Sequence, residues 1–172
     1  MPDLAPPAPG PYLQTVSGRW VNPFDPDPEQ LDAGDIARAL ANQCRFGGHS
    51  RIFYSVAQHS VIVSELVQER GGDVEDAFAA LMHDATEADL GDMPHPIKHR
   101  SQLGAAFKEA EDQLEQVIRA RFGIKADVAG GEAGRSAGLI TLPLYEVQID
   151  QIDETPRSRT AADLSAALPS RS

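Results

Sequence analysis

The sequence predicts an all-α fold, a helical bundle with a short extended or hairpin segment at its N-terminus. Three observations predict it. Apolar residues recur at three- and four-residue spacing in several separate segments, as in helices with one buried face. N-capping residues and glycines fall at the ends of those segments. Eight of the thirteen prolines stand in the first 28 residues, where each fixes φ and removes a backbone donor, so this stretch is extended rather than helical.

The elements follow in order. Residues 1–11 carry Pro2, Pro6, Pro7, Pro9 and Pro11 and are expected to form a disordered arm. Residues 12–22 alternate enough apolar and β-branched side chains for a small hairpin, with its turn near Ser17-Gly18. Asn22 to Pro26 reads as turns. Helical signals begin at about Asp32, with Ile36 and Leu40 four apart, and this region ends at Gly47-Gly48. Ser55 is the expected N-cap of a helix reaching about Glu69. Val56, Val63, Leu66 and Val67 share its inner face with His59, and Gly71-Gly72 stops it. Asp73 caps the next helix, with Asp76 in the first turn where negative charge suits the helix dipole. Phe78, Leu81, Met82 and Ala85 line that helix, and His83-Asp84 is read as sitting late within it. Pro94 and Pro96 place Gly91 to Pro96 outside any helix. The clearest helix carries Leu103, Phe107, Ala110, Leu114, Val117 and Ile118, with Gly123 just past its end. The acidic run Glu109, Glu111, Asp112 and Glu115 reads as its solvated face. Beyond it, residues 128–138 are small and Gly-rich, and Leu139 to Ile152 fits helix or strand equally. The expected organisation is an arm over 1–11, one domain over 12–153 with a core from about residue 30 to 125, and a polar tail over 154–172.

Composition narrows the function. The chain has 172 residues, 41% of them hydrophobic, enough for one core. Lys plus Arg number 15 against 26 Asp plus Glu, a net charge of −11. No basic stripe is available to displace counterions from a nucleic-acid polymer. Small anionic substrates remain, provided a metal ion or a local Arg/Lys group supplies positive charge. The one cysteine, Cys44, permits no internal disulfide or Cys-rich zinc module. No apolar run has the length of a membrane span, and no basic region precedes an apolar stretch at the start, so a cytoplasmic location without a membrane partner is expected.

The chemistry concentrates in a few residues. His83-Asp84 follows an apolar stretch, and a buried carboxylate needs a cation or a metal as partner. Histidine with carboxylate suits a divalent ion such as Mn, Co, Zn or Fe. His59, facing inward from the preceding helix, offers a third ligand, though such a histidine can equally be a hydrogen-bonded part of the core. Glu87, four residues after His83, is read as lying on the same helix face, one turn from the ligand and placed to act as a base toward a metal-activated water.

The segments Val56-Ala57-Gln58-His59-Ser60, His83-Asp84-Ala85-Thr86-Glu87-Ala88 and Gly91-Asp92-Met93-Pro94-His95-Pro96-Ile97-Lys98, in this order, resemble the HD-domain metal-dependent phosphohydrolases. The resemblance runs from about Asp35 to Gly123. It is nearest the small bacterial and phage branch of 5′-deoxynucleotidases and deoxynucleoside triphosphate triphosphohydrolases. It implies an HD-type helical bundle and one divalent ion (Co²⁺, Mn²⁺, Zn²⁺ or Fe²⁺). The implied ligands are His59, His83 and Asp84, with a fourth aspartate on Asp127, or on Asp150 or Asp153. It places a catalytic carboxylate on Glu87, the exit-motif aspartate on Asp92, and a phosphate-holding arginine with its aromatic neighbour on Arg45-Phe46. His49 and Lys98 are read as further phosphate contacts, against a loop histidine and a solvated lysine. His95 and His99 are expected to be exposed. Trp20 either stacks on a base or anchors the hairpin. The implied function is hydrolysis of a deoxynucleoside mono- or triphosphate. The alternative is an impaired relative that binds nucleotide or metal as a regulatory module. The expected partner is a small nucleotide, and the sequence leaves homo-oligomerisation open.

Overall fold

The computed structural model describes residues 6–125. Among them the chain is mainly helical, with a single two-stranded hairpin, as the sequence predicts. Strands β1 (Leu13–Gln14) and β2 (Trp20–Val21) pair antiparallel, Leu13 opposite Val21 and Gln14 opposite Trp20. The Thr15 N–H donates to the Arg19 carbonyl at 2.9 Å and closes the loop around Ser17-Gly18. Asp35 clasps this loop to the bundle. Its carboxylate accepts from Thr15 Oγ1 at 2.7 Å, from Ser17 Oγ at 2.6 Å and from the Ser17 N–H at 3.1 Å. Burial opposes ionisation of Asp35, but these hydrogen bonds and the Arg19 charge outweigh it and hold the carboxyl below its usual range.

Helix α1 (Ala33–Asn42) starts where Asp32 accepts the N–H groups of Gly34 and Asp35. It stops at Asn42, ahead of the expected Gly47-Gly48. Gln43 turns extended, Cys44 bridges to Ser55, and the Arg45 N–H donates to the Tyr54 carbonyl at 2.8 Å. A short strand-like pairing thus replaces the last helical turn.

Helix α2 (Val56–Glu69) has the predicted start and end. Ser55 Oγ accepts the Gln58 N–H at 3.1 Å, and Gln58 Oε1 accepts the Ser55 N–H at 2.9 Å, a reciprocal capping box. Removing the hydroxyl leaves the half-buried Gln58 N–H without its acceptor. Ser55→Ala is therefore expected to lower unfolding free energy by about 1 kcal/mol in denaturant titration. Equal midpoints for Ser55→Ala and the parent protein would refute the role of the cap.

Helix α3 (Val74–Leu81) opens with the same device, Asp73 and Asp76 each accepting the other's N–H. It packs along α2 through Val63, Val67 and Ala80, and Ser64 Oγ donates to the Ala77 carbonyl at 2.8 Å. The expected continuous helix through His83-Asp84 is corrected here. Helix α3 ends at Leu81, tight i→i+3 turns carry residues 82–86, and a separate short helix α4 (Glu87–Leu90) follows. The cause is local. His83 Nδ1 lies 2.7 Å from the Ala80 carbonyl, which a continuing helix would give to the Asp84 N–H.

A second correction concerns Pro96. Helix α5 (His95–Arg100) contains it at the second position, where a missing N–H has no intrahelical partner to lose. Helix α6 (Leu103–Phe122) ends before Gly123 as predicted, although Leu103 itself points outward. Gly104 lets α6 approach α5 closely, because a Cβ there would lie 1.8 Å from the Lys98 carbonyl oxygen. Leu114 and Ile118 of α6 meet Val21, Leu31, Ile36, Leu40, Val56, Leu81 and Met82 in the main core. No helix among the described residues is long and apolar enough to cross a membrane.

Candidate functional site

The site gathers where the start of α2 meets the turn between α3 and α4. His59 lies one turn into α2, its N–H bonded to the Ser55 carbonyl at 3.1 Å. Its ring is 5.2 Å, centroid to centroid, from that of His83. Asp84 Oδ2 stands 3.0 Å from His83 Nε2 and 3.6 Å from His59 Nε2. One ligand atom from each of the three residues lies within 4.8 Å of the others, a spacing that a single metal ion can bridge.

The hydrogen bonding argues for a cation there. The Ala80 carbonyl can only accept, so it fixes the His83 proton on Nδ1. Nε2 then presents its lone pair to an anionic carboxylate oxygen, an arrangement that a proton or a metal ion must relieve. An outer carbonyl that orients a ligating imidazole in this way is a common support of metal sites. Burial, then the Arg45 and His83 charges, push the His59 imidazole down to about 3 against the pull of Asp84. It is thus neutral, as a ligand must be. The protein packed around the ring opposes charge on His83, whose side chain is nevertheless 35% exposed, but the Asp84 carboxylate and the Ala80 carbonyl outweigh it and raise its affinity for a proton. Asp84, despite burial, is held well below the usual carboxylate range by His83, Arg45 and His59. The donor set of two imidazoles and one ionised carboxylate fits a divalent ion.

Arg45 and Glu87 border this group. Arg45 Nη1 donates to Asp84 Oδ2 at 2.7 Å and lies 3.7 Å from Glu87 Oε2. Glu87 is buried, and its Oε2 has no hydrogen-bond partner among the described residues. Such an unmade bond costs about 1–3 kcal/mol. Burial, then the Asp84 and Asp92 charges, push the Glu87 carboxyl up to about 9, against the opposing pull of Arg45 and Lys98. Glu87 reaches the group as the first residue of α4, not from one continuous helix with His83 as expected.

The Arg45 loop is held from two sides. Gln43 Nε2 donates to the Glu87 carbonyl at 2.8 Å, and the Phe46 N–H donates to Asp92 Oδ2 at 3.1 Å. Phe46 has φ 60°, a left-handed conformation that costs a non-glycine residue about 1–2 kcal/mol. Asp92 therefore sits against the backbone of the Arg45-Phe46 loop.

The remaining named residues are more dispersed. His49 is exposed, and His49 and Pro94 flank Gly47. Lys98 Nζ is paired with Glu111 Oε1 at 2.6 Å and lies 5.6 Å from the centre of the Phe107 ring. Glu111 is accordingly a partner of Lys98 rather than part of a purely solvated face. His95 and His99 are exposed, their rings 4.2 Å apart. Trp20 lines a separate cleft of about 720 Å³ with Tyr12, Arg19 and Asp25. Asp127, Asp150 and Asp153 lie outside the described residues.

Sequence reasoning missed Gln43 and Tyr54. Tyr54 precedes the Ser55 cap, and its ring meets His59 edge-on at 6.4 Å. A residue before an N-cap commonly packs on the fourth helical residue. In α2 that residue is His59, so the signal was present in the spacing.

Residues 43–124 match the family described as 5′-deoxynucleotidase YfbR-like. The chain is 42% identical over 113 residues to the uncharacterized protein YfdR of Escherichia coli (strain K12), covering 66% of this chain and 59% of that protein. It is 37% identical over 154 residues to the uncharacterized protein RCAP_rcc00048 of Rhodobacter capsulatus, covering 86% of this chain and 78% of that protein.

Proposed function

Because the chain belongs to the YfbR-like 5′-deoxynucleotidase family of the HD-domain superfamily, we propose that it is a metal-dependent phosphohydrolase of deoxynucleotides. The reaction is hydrolysis of a phosphate ester or anhydride of a deoxynucleoside mono- or triphosphate. The observation that carries this reading is the convergence of His59, His83 and Asp84 beside a half-buried arginine and a buried glutamate.

The residues divide the work by their chemistry. His59, His83 and Asp84 hold the ion, which is Co²⁺, Mn²⁺, Zn²⁺ or Fe²⁺, with Asp127 as the candidate fourth ligand. When bound, a divalent ion neutralises phosphate charge and acidifies a water molecule. Arg45 offers a planar fork of donors that matches phosphate oxygens, which lysine cannot do. Glu87, buried beside Asp84 and Arg45 with Oε2 unpartnered, is the proton acceptor once a divalent ion is held, because the ion's positive charge would offset the neighbouring carboxylates that otherwise keep it protonated. Asp92 fixes the Arg45-Phe46 backbone, and its other carboxylate oxygen is a second candidate for orienting water. The net charge of −11 favours a small anion gathered by these local cations over a nucleic-acid polymer.

The test is direct. Purified protein is assayed with Co²⁺ or Mn²⁺ against a panel of deoxynucleoside mono- and triphosphates, reading phosphate and triphosphate release. Turnover of at least one class is expected. No release from any of them with any metal would overturn the proposal.

A further inference from the structure

We propose that the hydroxyl of Tyr54 is a phosphate-binding donor, acting beside Arg45 on the same phosphoryl group. The proposal rests on the phosphohydrolase reading above and extends it to a residue outside the sequence motifs. Among the described residues, the buried side-chain polar atoms without a partner are Arg45 Nε, Tyr54 Oη, Glu87 Oε2 and Arg121 Nε. The first three belong to residues around the His59–His83–Asp84 group. Tyr54 is 5% exposed, and a phenol so deeply buried ordinarily finds a hydrogen-bond partner.

The position of the ring is set by three contacts. The Tyr54 backbone carbonyl accepts the Arg45 N–H, the ring centre lies 6.3 Å from that of Phe46 at a tilt of 30°, and its edge relation to His59 fixes it at the entrance of α2. The Arg45 guanidinium carbon lies 5.7 Å from the centre of the same Phe46 ring, so Arg45 and Tyr54 both stand against Phe46. Burial holds the phenol up at about 12, so at neutral pH it keeps its proton and can donate it in a hydrogen bond.

The three unpartnered atoms also define a ligand by complementarity. Arg45 Nε and Tyr54 Oη are donors, and Glu87 Oε2 is an acceptor. A tetrahedral oxyanion satisfies both donors through its oxygens. A water molecule, or a protonated oxygen of the same anion, satisfies the glutamate. An apolar ligand or a cation would leave both donors unmet.

Tyr54→Phe tests this, because it keeps the ring contacts and removes only the hydroxyl. Metal content is expected to stay at the parent level, and the melting temperature to stay equal or rise. The dissociation constant for inorganic phosphate, measured by calorimetry on the metal-loaded protein, is expected to increase about 10- to 100-fold, the range for a hydrogen bond to a charged group. KM for any deoxynucleotide that is hydrolysed should rise with it. Phosphate affinity and KM equal to the parent's would overturn the role of Tyr54 and leave the proposed reaction standing. Weakened phosphate binding in a protein whose parent form hydrolyses no nucleotide would sustain Tyr54 and remove the reaction. A parent protein that neither binds phosphate nor hydrolyses any nucleotide would remove both.

Discussion

His83→Ala is expected to lose the bound metal and to lower kcat/KM for deoxynucleotide hydrolysis by about 1,000-fold or more. A metal ion contributes several kcal/mol of transition-state stabilisation, and each 1.36 kcal/mol is tenfold in rate. His83 is the better probe of the three ligands because of its surroundings. Its side chain is 35% exposed, against 11% for His59 and 16% for Asp84. Truncating it opens no deep cavity, and Asp84 keeps its 2.7 Å bond from Arg45, so no buried charge is stranded. The fold should therefore survive, with a cooperative melt close to that of the parent. Elemental analysis and steady-state kinetics make the check. Full metal content with full turnover would mean that the ion is held elsewhere.

Glu87→Gln separates the proton acceptor from the ligands. Metal content should be retained while kcat falls about 100- to 10,000-fold, the range for losing a positioned acid or base. The same variant carries a stability signature in the metal-free protein. In the folded state burial, then Asp84 and Asp92, hold the Glu87 carboxyl up at about 9, against an ordinary value of 4.5. The folded chain thus keeps a proton that the unfolded chain releases. Its contribution to stability is complete below pH 4.5 and disappears as pH rises through 9. Glutamine does not titrate, so the parent should lose melting temperature relative to Glu87→Gln as pH climbs from 4.5 to 9. Parallel melting curves across that range would refute the raised proton affinity.

What could be read in the sequence was mostly local chemistry. Ser55 with Gln58 and Asp73 with Asp76 announce helix starts because a cap needs only its own first turn. Gly123 and the Ser17-Gly18 loop are legible for the same reason. The end of α3 was not, because it depends on whether the Ala80 carbonyl bonds a backbone N–H or the His83 ring. Pro96 misled because proline is excluded from helix interiors, not from first turns. The clasp of Asp35 on the hairpin joins residues far apart in the chain, and no periodicity reports such a contact. At the candidate site, Arg45, His59, His83, Asp84 and Glu87 come together in space, and Asp92 touches the Arg45-Phe46 loop. Lys98 is committed to Glu111, a choice made by the close approach of α5 and α6 at Gly104.

The box at Ser55 and Gln58 also acts as an angular index for chemistry one turn away. An α-helix advances about 100° per residue. A slip of the chain by one residue through the capped position would carry the imidazole at 59 around the helix axis by that angle, away from His83 and Asp84. Helix onset, a matter of two ordinary hydrogen bonds, thereby helps set the compass bearing of a ligand.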